Sequence, residues 1–264
     1  MKPHHLIIAL TCLTLIASAC DATDHPEATD IMVADVNDAG PEPDVNDATD
    51  NPAIRDDLTW DVSTDGPYQA GHRTLELTYT TRSRGLDRTL VVHLWYPTTA
   101  TTGDDVAYVG LFTHEEVLGN APLADPAVGD TYPVHVHSHG DLGYAGSSPY
   151  LMRHFATHGW VVAAPDHKGN TIVDNLSPRP DWMYTVRPED ISAVLDHLGS
   201  LSEDDPLAGK VDTSEVILSG HSYGAYTALA LSGASWDLTH IPSICEKEES
   251  GECGEAVMTI FEEG

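Results

Sequence analysis

The five residues Gly220-His221-Ser222-Tyr223-Gly224 constrain this chain more than any other stretch. They follow the apolar run Val216-Ile217-Leu218 and open into Ala225-Tyr226-Thr227-Ala228-Leu229-Ala230-Leu231, a good helix former. Strand, sharp turn and helix form the setting that a G-x-S-x-G turn requires, with the serine hydroxyl held out at the tip of a sheet. The glycines matter because a Cβ at either position would clash with the neighbouring strand or helix. Three fixed residues recur by chance in roughly one chain in ten of this length, so the weight rests on the flanking pattern.

The 264 residues carry a formal net charge of −30 with only 12 Lys and Arg. That balance argues against a nucleic-acid partner, because a phosphate backbone is bound by clustered cations. The charge is concentrated. Residues 21–66 hold 14 Asp and Glu against the single basic residue Arg55.

Residues 1–19 predict an export signal: Lys2 precedes Leu6-Ile7-Ile8-Ala9-Leu10 and Leu13-Thr14-Leu15-Ile16, and Ala17-Ser18-Ala19 supplies small residues for cleavage. The apolar stretch is shorter than the roughly 20 residues of a membrane-spanning helix. Cys20 then resembles the lipidated cysteine of a bacterial lipoprotein signal, with Ala17 where that motif usually has leucine. This reading places the protein at the bacterial cell envelope, held to a membrane by an N-terminal lipid. The alternative is ordinary cleavage after Ala19, an incidental Cys20 and a periplasmic or secreted protein.

Residues 20–67 predict an acidic disordered linker, with Asp35-Val36-Asn37-Asp38-Ala39 recurring as Asp44-Val45-Asn46-Asp47-Ala48. So little apolar surface cannot offset the entropy of ordering. The repeats place oxygen ligands close together, yet they lack the glycine and distal glutamate of a calcium loop.

Residues 68–264 predict the globular domain. Thr74–Tyr79 and Leu90–Tyr96 alternate as strands, joined at Arg82-Ser83-Arg84-Gly85. Val134–Ser138 is a third strand, Pro149–His158 a helix, and Trp160–Ala164 an apolar strand buried on both faces. Pro188 at a helix start leads into Ile191, Val194, Leu195 and Leu198 on one face. Residues 97–130 read as loop. Alternating strands and helices predict a doubly wound, mostly parallel α/β sheet.

Four segments stand in a telling order: His137-Ser138-His139-Gly140, Gly159 to Thr171 through Pro165-Asp166-His167-Lys168, Arg187-Pro188-Glu189-Asp190-Ile191, and Gly220–Gly224. Together they resemble α/β-hydrolases similar to platelet-activating factor acetylhydrolases and predicted dienelactone hydrolases, over roughly residues 70 to 245. The resemblance implies a carboxylic-ester hydrolase acting on a small ester or lipid substrate, with no metal or other cofactor. It makes Ser222 the nucleophile and gives the oxyanion the N–H groups of Tyr223 and of Asp141, the residue after His139-Gly140. An acidic side chain at Asp141 departs from what an oxyanion site wants and must point away. Because the fold hosts many chemistries, the acyl and alcohol groups stay open, as does the oligomeric state.

A serine nucleophile needs a histidine to take its proton and a carboxylate to orient that histidine. In these hydrolases both follow the serine on later strands. Only 42 residues follow Ser222, with one histidine, His240, three residues from Asp237 and no strand between them. The expectation is a copy lacking the C-terminal strands, with an exposed apolar edge at Val216–Leu218, poor solubility and impaired activity. The alternative function is a non-catalytic, surface-tethered binding protein on a hydrolase-derived scaffold. Two further clusters stand out. His135, His137 and His139 alternate on one face of a strand, a spacing open to zinc or to burial. Cys245 and Cys253 can pair as a disulfide in an exported protein or stay as thiols.

Overall fold

The computed structural model describes residues 5–8, 60–177 and 179–234, with side chains described from residue 60 onward. Cys20, most of the acidic linker, Asp237, His240, Cys245 and Cys253 lie outside the described residues.

The predicted hairpin is β2 (Gln69–Thr80) and β3 (Asp87–Thr98), antiparallel in unbroken register from Gln69↔Thr98 to Thr80↔Asp87. Its turn closes with the Thr81 N–H donating to the Leu86 carbonyl at 2.8 Å, and Gly85 supplies the left-handed residue at φ 62. Next come β7 (Tyr132–Ser138), helix α1 (Pro149–Thr157), β8 (Val161–Pro165), helix α2 (Met183–Leu198), β9 (Val211–Gly220) and helix α3 (Tyr223–Leu231). The stretch 97–130, expected to be loop, holds the last two residues of β3 and otherwise only two-residue strands: β4 (Ala107–Tyr108), β5 (Phe112–Thr113) and β6 (Leu118–Gly119). With β1 (His5–Ile8), the main sheet runs β1-β9-β7-β8-β3-β2-β6.

β9, β7 and β8 are parallel neighbours, and β8 meets β3 antiparallel. The sheet is therefore mixed and mostly parallel on the side that carries the G-x-S-x-G turn. The β9 edge, expected to lie exposed, pairs in parallel with β1 from His5↔Glu215 to Ile8↔Leu218. A segment read as a leader thus takes a strand's place in the sheet, which its run of leucine and β-branched isoleucine suits.

Alternation divides the core. Val134, Val136, Val161 and Ala163 face Ile191, Val194 and Leu198 of α2 and Ala228 of α3. Val162, Ala164 and Trp95 face Met152 and Ala156 of α1. All five residues of β8 are buried, as the continuous apolar run predicted.

Two boundaries move. Among the described residues, packing reaches back to Trp60, eight residues before Tyr68. The Trp60 ring meets Tyr68 edge-on at 5.9 Å, and Arg153 grips Asp65 through two bonds of 2.7 and 2.6 Å. Helix α2 begins at Met183, which puts Pro188 inside it rather than at its start. A proline in a helix leaves the carbonyl four residues earlier without its donor. Here that carbonyl is Tyr184's, and the Tyr226 hydroxyl of α3 donates to it at 3.0 Å.

Candidate active site

Ser222 sits between the end of β9 and the first residue of α3 with φ 52 and ψ −116, an exposed residue in a conformation that L side chains rarely adopt. The flanking glycines explain how the chain holds it. A Cβ on Gly224 would lie 1.8 Å from the Ser138 carbonyl oxygen, and one on Gly220 would lie 2.1 Å from the Gly224 oxygen. The turn is pressed against both β7 and its own helix, so any side chain there must displace backbone. The His221 N–H donates to the Ser138 oxygen at 3.2 Å and ties the turn to the end of β7. Tyr223 opens α3, so its N–H has no acceptor one turn back in the helix.

The chain leaving β7 passes directly beside this turn. A Cβ built on Gly140 would stand 3.0 Å from the His221 Nδ1 and 3.6 Å from the Ser222 Cβ. Gly140 to Gly143 then form a tight turn, the Gly143 N–H donating to the Gly140 oxygen at 3.1 Å, with Leu142 at φ 52. Asp141 is the residue after Gly140 in this turn. Its carboxylate is engaged: the Asn170 amide donates to Oδ1 at 2.7 Å and the Arg179 guanidinium to the same oxygen at 2.7 Å. Partial burial would raise this carboxyl, but those two partners outweigh it and hold it below the usual range.

Beneath the two turns lies a buried polar network. The Asp190 carboxylate receives four donors: Tyr79 Oη, the Arg88 Nε and Nη2, and the His167 Nδ1, at 2.5 to 2.9 Å. Four contacts on two oxygens, two of them from the Arg88 guanidinium, suit the ionised form. Burial pushes Asp190 up while Arg88 and Tyr79 draw it down. His167, fully buried, is held neutral, first by burial and then by the cations Arg187 and Arg88. With Nδ1–H given to Asp190, its Nε2 accepts from the Ser138 hydroxyl at 2.9 Å. The Ser138 oxygen in turn accepts from Arg187 at 3.0 Å. Arg187, lowered to about 10 chiefly by burial, also reaches the His139 carbonyl and the Asn170 side chain, and its guanidinium lies 4.5 Å from the Tyr223 ring centre. A run of hydrogen bonds thus leads from Asp190 to the backbone that precedes Gly140. From the β8 side, Asp166 accepts the Ala145 N–H at 2.6 Å and fixes the same loop.

The three alternating histidines do not converge. His135 Nε2 and His137 Nδ1 share the Ser219 hydroxyl at 2.6 and 2.8 Å. His139 gives Nδ1–H to the Gly140 oxygen at 2.7 Å and accepts the His167 N–H at 3.1 Å. Among the described residues no set of three His, Cys, Asp or Glu is placed to hold a metal ion. Nor, among the described residues, does any histidine or carboxylate bond the Ser222 hydroxyl; Asp237 and His240 lie outside that set.

Comparison with known proteins agrees with this architecture. Residues 119–242 match the family model described as Chlorophyllase. Over 147 residues the chain is 25% identical to a platelet-activating factor acetylhydrolase from Cavia porcellus, an alignment covering 42% of this chain and 33% of that protein. The structure of a ferulic acid esterase from Streptomyces cinnamoneus superposes with a TM-score of 0.52 at 22% identity, over 65% of this chain and 58% of that one. The chain has the fold of an α/β-hydrolase. It spans about a third of the curated relative's length and somewhat over half of the esterase's.

In this hydrolase fold the sequence pattern predicted the strand, turn and helix found around Ser222. It missed Asn170 and Arg179, which reach Asp141 from a loop with no periodicity to read. It also missed the work of Arg187 and Asp190, although a signal was present. Both fall on the apolar stripe of α2 with Ile191, Val194 and Leu198, and charges on a buried stripe must find each other or other partners.

Proposed function

We propose that this chain carries the nucleophile and oxyanion site of a carboxylic-ester hydrolase. The observation that carries the reading is the exposed Ser222 at φ 52, locked between two glycines whose replacement would displace backbone. The Ser222 oxygen attacks the ester carbonyl carbon, its proton passes to a base, and the tetrahedral oxyanion takes hydrogen bonds from the N–H groups of Tyr223 and Asp141. Collapse expels the alcohol and leaves an acyl-serine, which water hydrolyses. The general base and its carboxylate come from outside the described residues. The likeness to an acetylhydrolase and an esterase supports ester chemistry, with a small ester or lipid as substrate. Export through residues 1–19 and lipidation at Cys20 would set the domain at a membrane surface on an acidic tether, and cleavage there would also remove β1 and bare the β9 edge.

One observation favours the second reading, a binding protein on the same scaffold: no histidine among the described residues reaches Ser222. A fluorophosphonate probe separates the two, because only an activated serine reacts quickly. We expect labelling of the full chain that is lost in Ser222→Ala, with p-nitrophenyl acetate turnover, however slow, lost alongside it. An unlabelled wild-type protein that is folded by circular dichroism would leave the binding reading standing.

A further inference from the structure

Asp141 presents a contradiction that the structure resolves locally. Its N–H is one of the two proposed oxyanion donors, yet its carboxylate hangs from the same residue, where a free negative charge would oppose the charge developing on the substrate. We propose that Arg179 is a positioning residue for this site, whose guanidinium neutralises the Asp141 carboxylate and holds it turned from the oxyanion, leaving the Asp141 N–H to act alone. The inference rests on the hydrolase reading above.

The contacts make Arg179 suited to that task. Its Nη1 lies 2.7 Å from Asp141 Oδ1, the same oxygen that Asn170 holds at 2.7 Å, so the carboxylate is pinned from two directions. The guanidinium is itself held in place: it lies 4.7 Å from the Tyr223 ring centre and 5.5 Å from that of Tyr184, and its Nη2 donates to the Tyr184 hydroxyl at 3.3 Å. Planar stacking with a directed bond preorganises arginine in a way that lysine does not reproduce. The arrangement also joins the two donors, because the cation that pairs with Asp141 lies over the side chain of Tyr223. Asn170 is in turn held by Arg187 at 2.8 Å, so the pin on the carboxylate continues into the buried network.

The test is a charge cycle read by two rates, fluorophosphonate labelling and p-nitrophenyl acetate kcat. Arg179→Met should slow both by about 10- to 100-fold, less than the roughly 100- to 1000-fold lost when an oxyanion donor itself is removed, with KM changed less than kcat. Adding Asp141→Asn to Arg179→Met removes the unbalanced charge and should recover most of the loss. Arg179→Lys, which keeps the charge without the stacked plane, should fall between. A merely structural arginine predicts otherwise: Arg179→Met would lower the thermal midpoint, and Asp141→Asn would restore neither rate. That result overturns the proposal, as does an Arg179→Met protein labelled at the wild-type rate. If wild-type Ser222 does not label at all, the hydrolase reading falls and this inference falls with it, an outcome distinct from the other two.

Discussion

Two serines, Ser138 at the end of β7 and Ser222 just past the neighbouring β9, have opposite endowments. Ser138 is buried and has the full relay: its hydroxyl bonds His167 Nε2 at 2.9 Å, and His167 Nδ1 bonds Asp190 at 2.8 Å. Ser222 is exposed, strained and flanked by obligatory glycines, with no such relay among the described residues. By distances alone Ser138 would be taken for a nucleophile. Yet no substrate carbonyl can approach an oxygen enclosed on all sides that already accepts from Arg187. A serine, a histidine and an aspartate in line are therefore also what a buried network looks like when every donor needs an acceptor. Access and backbone strain mark a candidate nucleophile; the line of three does not.

Perturbing the buried side should cost stability, and perturbing the exposed side should cost chemistry. Among substitutions the largest effect is expected from Asp190→Asn, which leaves Arg88 without its countercharge in the core and should destabilise the domain by about 3–5 kcal/mol, read from urea midpoints. A loss under about 1 kcal/mol would mean that the network is looser than its distances.

Acid should attack the same side. Burial lowers His72 and His135 to about 3 and His137 to about 4, all from an ordinary 6.5. Between those values the unfolded chain binds protons that the folded chain refuses. Stability is thus fully present above pH 6.5 and is lost as pH falls toward 3–4, by about 1.4 kcal/mol per unit for each histidine. A thermal midpoint that is flat from pH 7 to pH 5 would contradict this.

Smaller again, Ser138→Ala strands His167 Nε2 and a guanidinium N–H and should cost about 1–3 kcal/mol. Ser222→Ala should change the same midpoint by no more than about 0.5 kcal/mol, since its hydroxyl makes no bond among the described residues. Equal costs for the two serines would erase the contrast.

Legibility in the sequence followed the range of the interactions. The hairpin and β8 were readable because alternation and an unbroken apolar run are local consequences of burial on one face or two. The serine turn was readable from its local strand, glycine and helix pattern, although the carbonyl that demands Gly224 belongs to the distant Ser138. Helix α2 was misjudged at Pro188 because the compensating donor, Tyr226, lies 38 positions further on. Asn170 and Arg179 were invisible as partners of Asp141, since only the packed loops bring a carboxylate, an amide and a guanidinium to one point. The pairing of β1 with β9 was equally hidden, because a short leucine- and isoleucine-rich segment suits a helix, a leader or a strand alike.

The proline of α2 has an effect on mechanics as well as on hydrogen bonding. By baring one carbonyl it offers Tyr226 a fixed anchorage, so the helix behind Ser222 is keyed to the helix bearing Arg187 and Asp190 at a single depth. Sliding α3 along its axis would break that bond and shift the Ser222 turn relative to Arg187. The bond ties the two helices together at one point and steadies the serine's height above the sheet from behind.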